Sequence, residues 1–188
     1  MLDTQMKYFI LIFAIFIFAC TSNNETSKLK TLDFGSFTIQ TPNNWTKKKV
    51  KGIDSYVGQI LLDSSDVLTF DLGPYSNDLT EYQEVIMADG KRYYINSNDT
   101  SAIPTLIDST RKYEVIKSNV LWDTIDGRLS KLLTPIHSGI GTTGIYVDSL
   151  WGIGNERDRF NLYGINLKST NEKAVIEAFQ TIKFYQDK

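Results

Sequence analysis

The hydrophobic rhythm of the chain changes twice from its N-terminus onward. Tyr8 to Ala19 is an unbroken apolar run, Thr21 to Lys28 is polar, and from about Leu32 apolar and polar residues alternate at short range. Alternation with a period of two marks half-buried strands. Phe34 to Gln40 alternates and stops at the turn cluster Thr41-Pro42-Asn43-Asn44, after which Trp45 opens a short segment of undetermined type. Ser55 to Leu62 and Val67 to Leu72 flank Asp63-Ser64-Ser65-Asp66 and predict a β-hairpin. Gly73 to Asp78 reads as a loop. A second hairpin is expected where Glu84 to Ala88 and Arg92 to Ile95 flank Asp89-Gly90.

Further along, Asn96 to Thr105 is polar and loop-like, and Tyr113 to Leu121 is expected as a strand. Arg128 to Ile136 and Gly144 to Trp151 are expected as a strand pair, and Phe160 to Leu167 as a core strand. The period then changes. Val175, Ala178, Phe179 and Ile182 fall at i, i+3, i+4 and i+7, one stripe of a helix lying on a sheet. Ser169-Thr-Asn-Glu172 has capping-box spacing at its start. The pattern therefore predicts an α+β fold, an antiparallel sheet built from hairpins with a C-terminal amphipathic helix packed on it. No internal repeat or second domain is visible.

Composition adds exclusions. The chain has 188 residues, 41% hydrophobic and 22% charged, with a formal net charge of −2. Nothing in that balance draws it toward nucleic acid. Lys47, Lys48, Lys49 and Lys51 are the one basic run and read as a solvated face. With one Cys and one His, the chain can form neither an internal disulfide nor a Cys- or His-rich metal centre. No metal, nucleotide or other cofactor is expected.

The first twenty residues carry the sharpest signal. From Met6, or from Met1 with a slightly longer start, one lysine precedes an apolar core of roughly 10 residues, the layout of a secretory signal peptide. A spanning helix needs about 20 apolar residues. Ile17-Phe18-Ala19-Cys20 resembles the bacterial lipobox: a branched aliphatic residue at −3 and a small one at −1, directly before cysteine. The resemblance implies that the Cys20 thiol is diacylglycerylated, that the leader 1–19 is removed, and that the new amino group is acylated. Two or three acyl chains hold a protein on a membrane durably, where one does so only marginally. Residues 20–31 would then be a lipidated polar tether and 32–188 a single globular domain. Thr21, in place of an inner-membrane retention aspartate, points to the outer membrane, with the periplasmic or surface face left open.

A second resemblance covers Leu32 to Phe184. Phe37-Thr-Ile-Gln-Thr-Pro42-Asn-Asn-Trp45, the hairpins, and a last helix ending in Phe179-Gln-Thr-Ile-Lys-Phe184 look like the Mog1/PsbP-like α/β/α sandwich. That family shares no catalytic residues, so it implies a fold and no chemistry.

Other motifs weigh less. Gly139-Ile-Gly141-Thr-Thr-Gly144 spells G-x-G-x-x-G, but a dinucleotide loop must lead into a helix, and Ile145 to Leu150 is β-like. His137 has no G-x-S-x-G partner and reads as an exposed strand-end histidine. In Gly52-Ile-Asp54-Ser-Tyr56-Val-Gly58, Asp54 is expected to cap a turn and Tyr56 to pack; contact of Asp54 and Ser55 with a ligand is the alternative. The carboxylate pairs Asp63/Asp66 and Glu156/Asp158 fit no acid/base or calcium-loop pattern. Trp45, Trp122 and Trp151 are expected in or near the core rather than on a stacking surface. Catalytic residues are therefore expected to be none, and lipidation at Cys20 is the one assigned site. The expected function is a non-enzymatic binding or structural module of the cell envelope with a possible envelope protein partner. An envelope hydrolase or carbohydrate-binding protein is the alternative.

Overall fold

The computed structural model describes residues 28–96, 105–106, 116–154 and 157–186. The leader, Cys20, Glu156, most of the polar stretch 96–105 and the start of the expected strand 113–121 lie outside these residues.

The fold is α+β and mostly antiparallel sheet. Strands β1 (Leu29–Asp33) and β2 (Phe37–Pro42) form a hairpin, which β13 (Lys183–Phe184) extends on the free side of β2. Strands β3 (Thr46–Lys49), β4 (Tyr56–Leu61), β5 (Val67–Gly73), β9 (Ser118–Ile125), β10 (Arg128–Pro135), β11 (Thr142–Val147) and β12 (Arg159–Ile165) make a seven-stranded sheet. Its order is β3-β4-β5-β12-β11-β10-β9, so the chain crosses once, from β5 to β9, and returns to the middle with β12. Strands β6 (Tyr82–Ile86), β7 (Arg92–Asn96) and β8 (Thr105–Leu106) form a separate small sheet within that crossing. The single helix among the described residues, α1 (Ser169–Phe179), follows β12.

The large sheet buries one face. Phe70 and Leu72 of β5, Phe160 and Leu162 of β12, and Ile145 and Val147 of β11 point to that side and are buried. They meet Phe37 and Ile39 of β2, Phe184 of β13, and Val175, Ala178 and Phe179 of α1 in one cluster. Phe37 is the junction. Its ring stacks on Phe34 at 4.7 Å and meets Phe70 and Phe160 edge-on at 5.0 and 4.9 Å; Phe160 continues to Phe184 at 5.1 Å. Such pairs add about 0.5–1.5 kcal/mol each to the stabilisation from burial.

The hairpin around Asp63 to Asp66 and the core strand over Phe160 to Ile165 form as patterning predicts. The helical stripe is also met: Val175, Ala178 and Phe179 are buried, and Ile182, just past the helix, is fully buried. Other details differ. Leu29–Asp33 is already a strand, ahead of the expected domain start at Leu32; its two leucines are three apart, Leu32 buried and Leu29 exposed, so its apolar residues do not alternate. The turn at Asp89-Gly90 forms, but as a longer loop: Gly90 N–H donates to Met87 O and Met87 N–H to Lys91 O. The two-residue turn lies instead at Asp126-Gly127, where both residues have positive φ, 51° and 74°. That geometry matches the twist of a hairpin and favours Asp-Gly, and it joins β9 and β10 in a pairing patterning did not anticipate.

The capping box does not form, because the helix begins one residue earlier than that motif requires. Lys168 is the N-cap, which leaves Glu172 one position too far along to reach back. The β4–β5 turn supplies the acceptors instead. Asp66 accepts the Lys168 N–H at 2.7 Å, and Asn171 Nδ2 donates to both Asp63 and Asp66 at 2.8 Å. Glu172 turns outward to accept from Gly139 N–H and Ser138 Oγ, both at 3.1 Å. Asp63 and Asp66, a pair without meaning in the sequence, thus tether the β4–β5 turn to the helix N-terminus, where negative charge is favoured.

Backbone N–H groups of Asp66 and Ser65, then Lys168 and Asn171, hold the Asp63 carboxyl well below the usual range. Burial alone would raise Asp66, but its bonds to Asn171, Lys168 and Ser65 outweigh that and lower it. Depressed folded values mean stability present above the unfolded pKa of about 3.9 and lost as pH falls below it. Asp66→Asn is expected to lower the urea midpoint at pH 7 and flatten its fall below pH ~4. Phe37→Ala is expected to cost about 3–5 kcal/mol in urea unfolding, against about 0.5 or less for the exposed Trp122→Ala.

Candidate functional site

In an antiparallel sheet, paired residues share a face, so register assigns every side chain on the side away from the core. Val57, Thr69, Asp71, Asn161, Tyr163, Thr142, Tyr146, Lys131 and Trp122 all lie there. No helix among the described residues covers this face. The chain leaving β5 crosses it as a strap, residues 74–81, before β6 begins.

Each sheet strand it crosses holds the strap. Ser76 Oγ contacts Gly73 O and Arg159 O at 3.1 and 3.2 Å. Asn161 Nδ2 donates to Asn77 O at 2.9 Å. Lys131 Nζ donates to Asp78 O at 2.8 Å, and Ser118 Oγ to Glu81 at 2.7 Å. In the middle Leu79 points down and is buried with Leu133 and Tyr146, Tyr163 packing alongside. A Cβ at Gly144 would come within 2.8 Å of Leu79 Cδ1, so only glycine lets the strap sit this low.

Leu79 itself has φ 58°, a left-handed conformation that is an outlier for a bulky residue. Its N–H donates to Asn77 Oδ1 at 2.7 Å, an Asx turn that holds it there.

Several hollows lie along this face beside the strap, two of them more apolar than polar. One, of about 680 Å³, runs beside Trp122, Leu129, Lys131, Tyr146 and Asp148. Trp122 is 60% and Leu129 66% exposed, whereas Trp45 is buried and Trp151 packs against the core. The expectation of core tryptophans therefore fails at Trp122, because β9 is the last strand of the sheet and its outward residues meet no neighbour beyond β10. Asp148 is fully engaged: Tyr146 Oη donates to it at 2.8 Å, and Arg157 and Arg159 pair with it at 2.7 and 3.5 Å. The Tyr146 bond, with Arg157 and Arg159, lowers the Asp148 pKa. Burial, and then the bond to Asp148, raises that of Tyr146.

The second hollow, of about 420 Å³, lies between Val57, Thr69, Asp71, Asn161, Tyr163 and the strap. Here Asp71 and Asn161 are directly opposed across β5 and β12. Their Oδ1 atoms are both buried without a hydrogen-bond partner. These residues carried no sequence signal: each is one polar residue between two core residues, as alternation demands of any half-exposed strand.

The residues weighed in the sequence are dispersed. His137 is exposed in the turn after β10, bridged to Ile140. The G-x-G-x-x-G stretch leads into β11, a buried strand, and not into the helix that a dinucleotide loop requires. Tyr56 packs edge-on against Phe70 at 5.2 Å and bonds Phe34 O. Lys47, Lys48 and Lys49 are exposed along the edge strand β3, where charge discourages pairing with another sheet. Among the described residues, no three His, Cys, Asp or Glu side chains group to hold a metal, and no helix is long and apolar enough to cross a membrane.

Asn77→Ala removes the Asx turn that holds Leu79. Faster amide exchange confined to residues 76–80, with about 1 kcal/mol lost globally, is the expected outcome by hydrogen-exchange mass spectrometry.

Comparison of the chain with family models, with curated proteins and with solved structures returns no match.

Proposed function

We propose that this chain is an exported bacterial lipoprotein, held to the outer membrane through acylated Cys20, whose strapped sheet face binds a partner without catalysing a reaction. The anchoring rests on Ile17-Phe18-Ala19-Cys20 and the apolar leader before it. The binding role rests on one observation: a sheet face that no helix among the described residues covers and that carries exposed Trp122 and Leu129 beside the strap's hollows. Exposed apolar groups rimmed by polar ones favour contact with another molecule. Three titratable groups on this face support binding over chemistry. Asp148, Lys131 and Glu81 are committed to holding side chains and strap in place.

A Mog1/PsbP-like sandwich is the finer fold reading that goes with this role. The Pro42 to Trp45 turn after β2, the broad antiparallel sheet and the closing helix support it. Carbohydrate binding is the second reading. Trp122, exposed above a hollow that also holds Asp78 and Asp148, is the kind of platform on which a sugar ring stacks.

Two measurements separate these claims. Cys20→Ser is expected to abolish acyl labelling and release the protein from the membrane fraction; unchanged labelling would end the lipoprotein reading. Crosslinking from intact envelopes is expected to capture a partner with wild type and at least several-fold less with Trp122→Ala. A glycan that protects Trp122 fluorescence from quenching would instead favour the carbohydrate reading.

A further inference from the structure

The hollow beneath the strap contains an unresolved electrostatic problem. Asn161 is 1% exposed, and its amide is oriented by donation from Nδ2 to Asn77 O. That fixes Oδ1 as an acceptor facing away from the strap carbonyl, buried and without a donor. Asp71, its cross-strand partner, presents a second buried, unpartnered acceptor, Oδ1. No Lys or Arg among the described residues pairs with Asp71. A buried polar atom left unpaired costs free energy, and a carboxylate oxygen more than a neutral one. Native structures rarely tolerate two such atoms side by side unless something else supplies the donors.

The cavity has room for more than water. At about 420 Å³ it far exceeds the ~30 Å³ share of one water molecule. Its walls mix apolar and polar groups, with Val57, Leu79 and Tyr163 beside Thr69, Asp71 and Asn161 and with Ile165 exposed at the rim. A metal ion is a poor fit, because calcium takes about 6–8 oxygens and magnesium a full octahedron. A neutral hydroxyl would satisfy the amide but leave the carboxylate charge uncompensated.

We propose that this hollow is a binding site for a primary ammonium group carried on a short apolar body. The ammonium donates to Asp71 Oδ1 and Asn161 Oδ1, and the alkyl part lies against Val57, Leu79 and Tyr163. Three N–H donors on one positive charge match one anionic and one neutral acceptor, a pairing stronger than neutral hydrogen bonds. The Tyr163 ring adds a favourable surface for the cation. The strained Leu79 is the roof of the site, held down by the same Asn161 side chain that offers the acceptor. Such a group is found on free alkylamines and on the lysine side chain of a protein. This inference deepens the binding role proposed above and shares its sheet face.

The test uses the ¹⁵N-labelled full chain in detergent micelles, titrated with butylammonium chloride, with N-acetyl-lysine amide, and with butan-1-ol at equal concentration. Amide shifts at Asp71, Leu79 and Asn161 are expected with the amines and not with the alcohol. Butylammonium alone points to a small-amine ligand; equal or tighter binding of the lysine compound points to a protein side chain. Asp71→Asn keeps the shape and removes the charge. It is expected to weaken amine binding at least tenfold while leaving the melting temperature unchanged or raised, because a carboxylate oxygen buried without a donor gives way to a neutral group. Thr69→Val, on the same wall without a charge, should bind amines within a few-fold of wild type. Equal shifts with butan-1-ol, no shift with either amine, or full binding by Asp71→Asn would overturn the proposal; so would a site occupied by ordered water alone. Membrane release of Cys20→Ser and crosslinking through Trp122 do not depend on Asp71. Failure here therefore leaves the envelope reading standing, and failure there leaves this one.

Discussion

The aromatic junction at Phe37 is the constraint from which the rest of the architecture follows. A seven-stranded antiparallel sheet with alternating residues has one apolar face, and that face must be covered by something. Here the cover is made of two unlike pieces, the β1-β2-β13 sheet and α1, and Phe37 is where they are fastened to the large sheet through Phe70 and Phe160. Phe184 arrives from the far end of the chain to complete the cluster, and Asp126 secures it by accepting the Phe184 N–H at 2.9 Å. Burial would raise the Asp126 pKa, but that bond, with Lys183 and Arg128, keeps it ionised. The hairpin turn carrying Asp126 thus joins the two sheets as well as β9 and β10.

With α1 and the β1-β2-β13 sheet on one side, the opposite face is crossed by the connection from β5 to β9. A crossing connection would ordinarily run around an edge. This one runs over the face, and a backbone lying on a sheet must have its polar groups met there. Side chains of the sheet meet them: Asn161 and Lys131 donate to strap carbonyls, and Ser118 adds a bond to the Glu81 carboxylate. The small cluster of Leu79, Leu133 and Tyr146 then gives the strap an apolar footing. What results is a fixed ridge with a hollow on either side, which a bare sheet would not have.

Patterning read the main sheet well for a physical reason. Residues that alternate because one face is buried reveal both the strand and its face, and Val67 to Leu72 and Phe160 to Ile165 do so clearly. The helix was legible from its stripe, but its cap was not: Asp66 lies 102 positions from Lys168, and no local rule reports a partner that distant. Leu29–Asp33 was missed because a strand that buries one residue has no period to read. The candidate site was the least legible part. Asp71 and Asn161 look like any outward polar residue until register sets them opposite each other and the strap closes over them. The Asn77-Asp78 pair, with its tendency toward Asx turns, was the one local hint that the strap has a defined shape.

Two features that usually cost stability coincide in the smaller hollow: a bulky residue held at positive φ, and a pair of buried acceptors without donors. Strain of about 1–3 kcal/mol at one residue persists where surrounding structure over-determines it, and such residues cluster at ligand clamps. Asn161 connects the two, since its Nδ2 bonds the strap backbone, its Oδ1 is one of the buried acceptors, and the residue lines the cavity. Were the hollow only a packing fault, a hydrophobic pair in place of Asp71 and Asn161 would fill it at lower cost, as apolar replacement of buried polar pairs generally does. The polar pair makes physical sense if a third group enters. The requirement that this group be cationic comes from the single charge it must neutralise, and the requirement that it be partly apolar from the walls. Together they narrow the proposed ligand to an amine with a short apolar body.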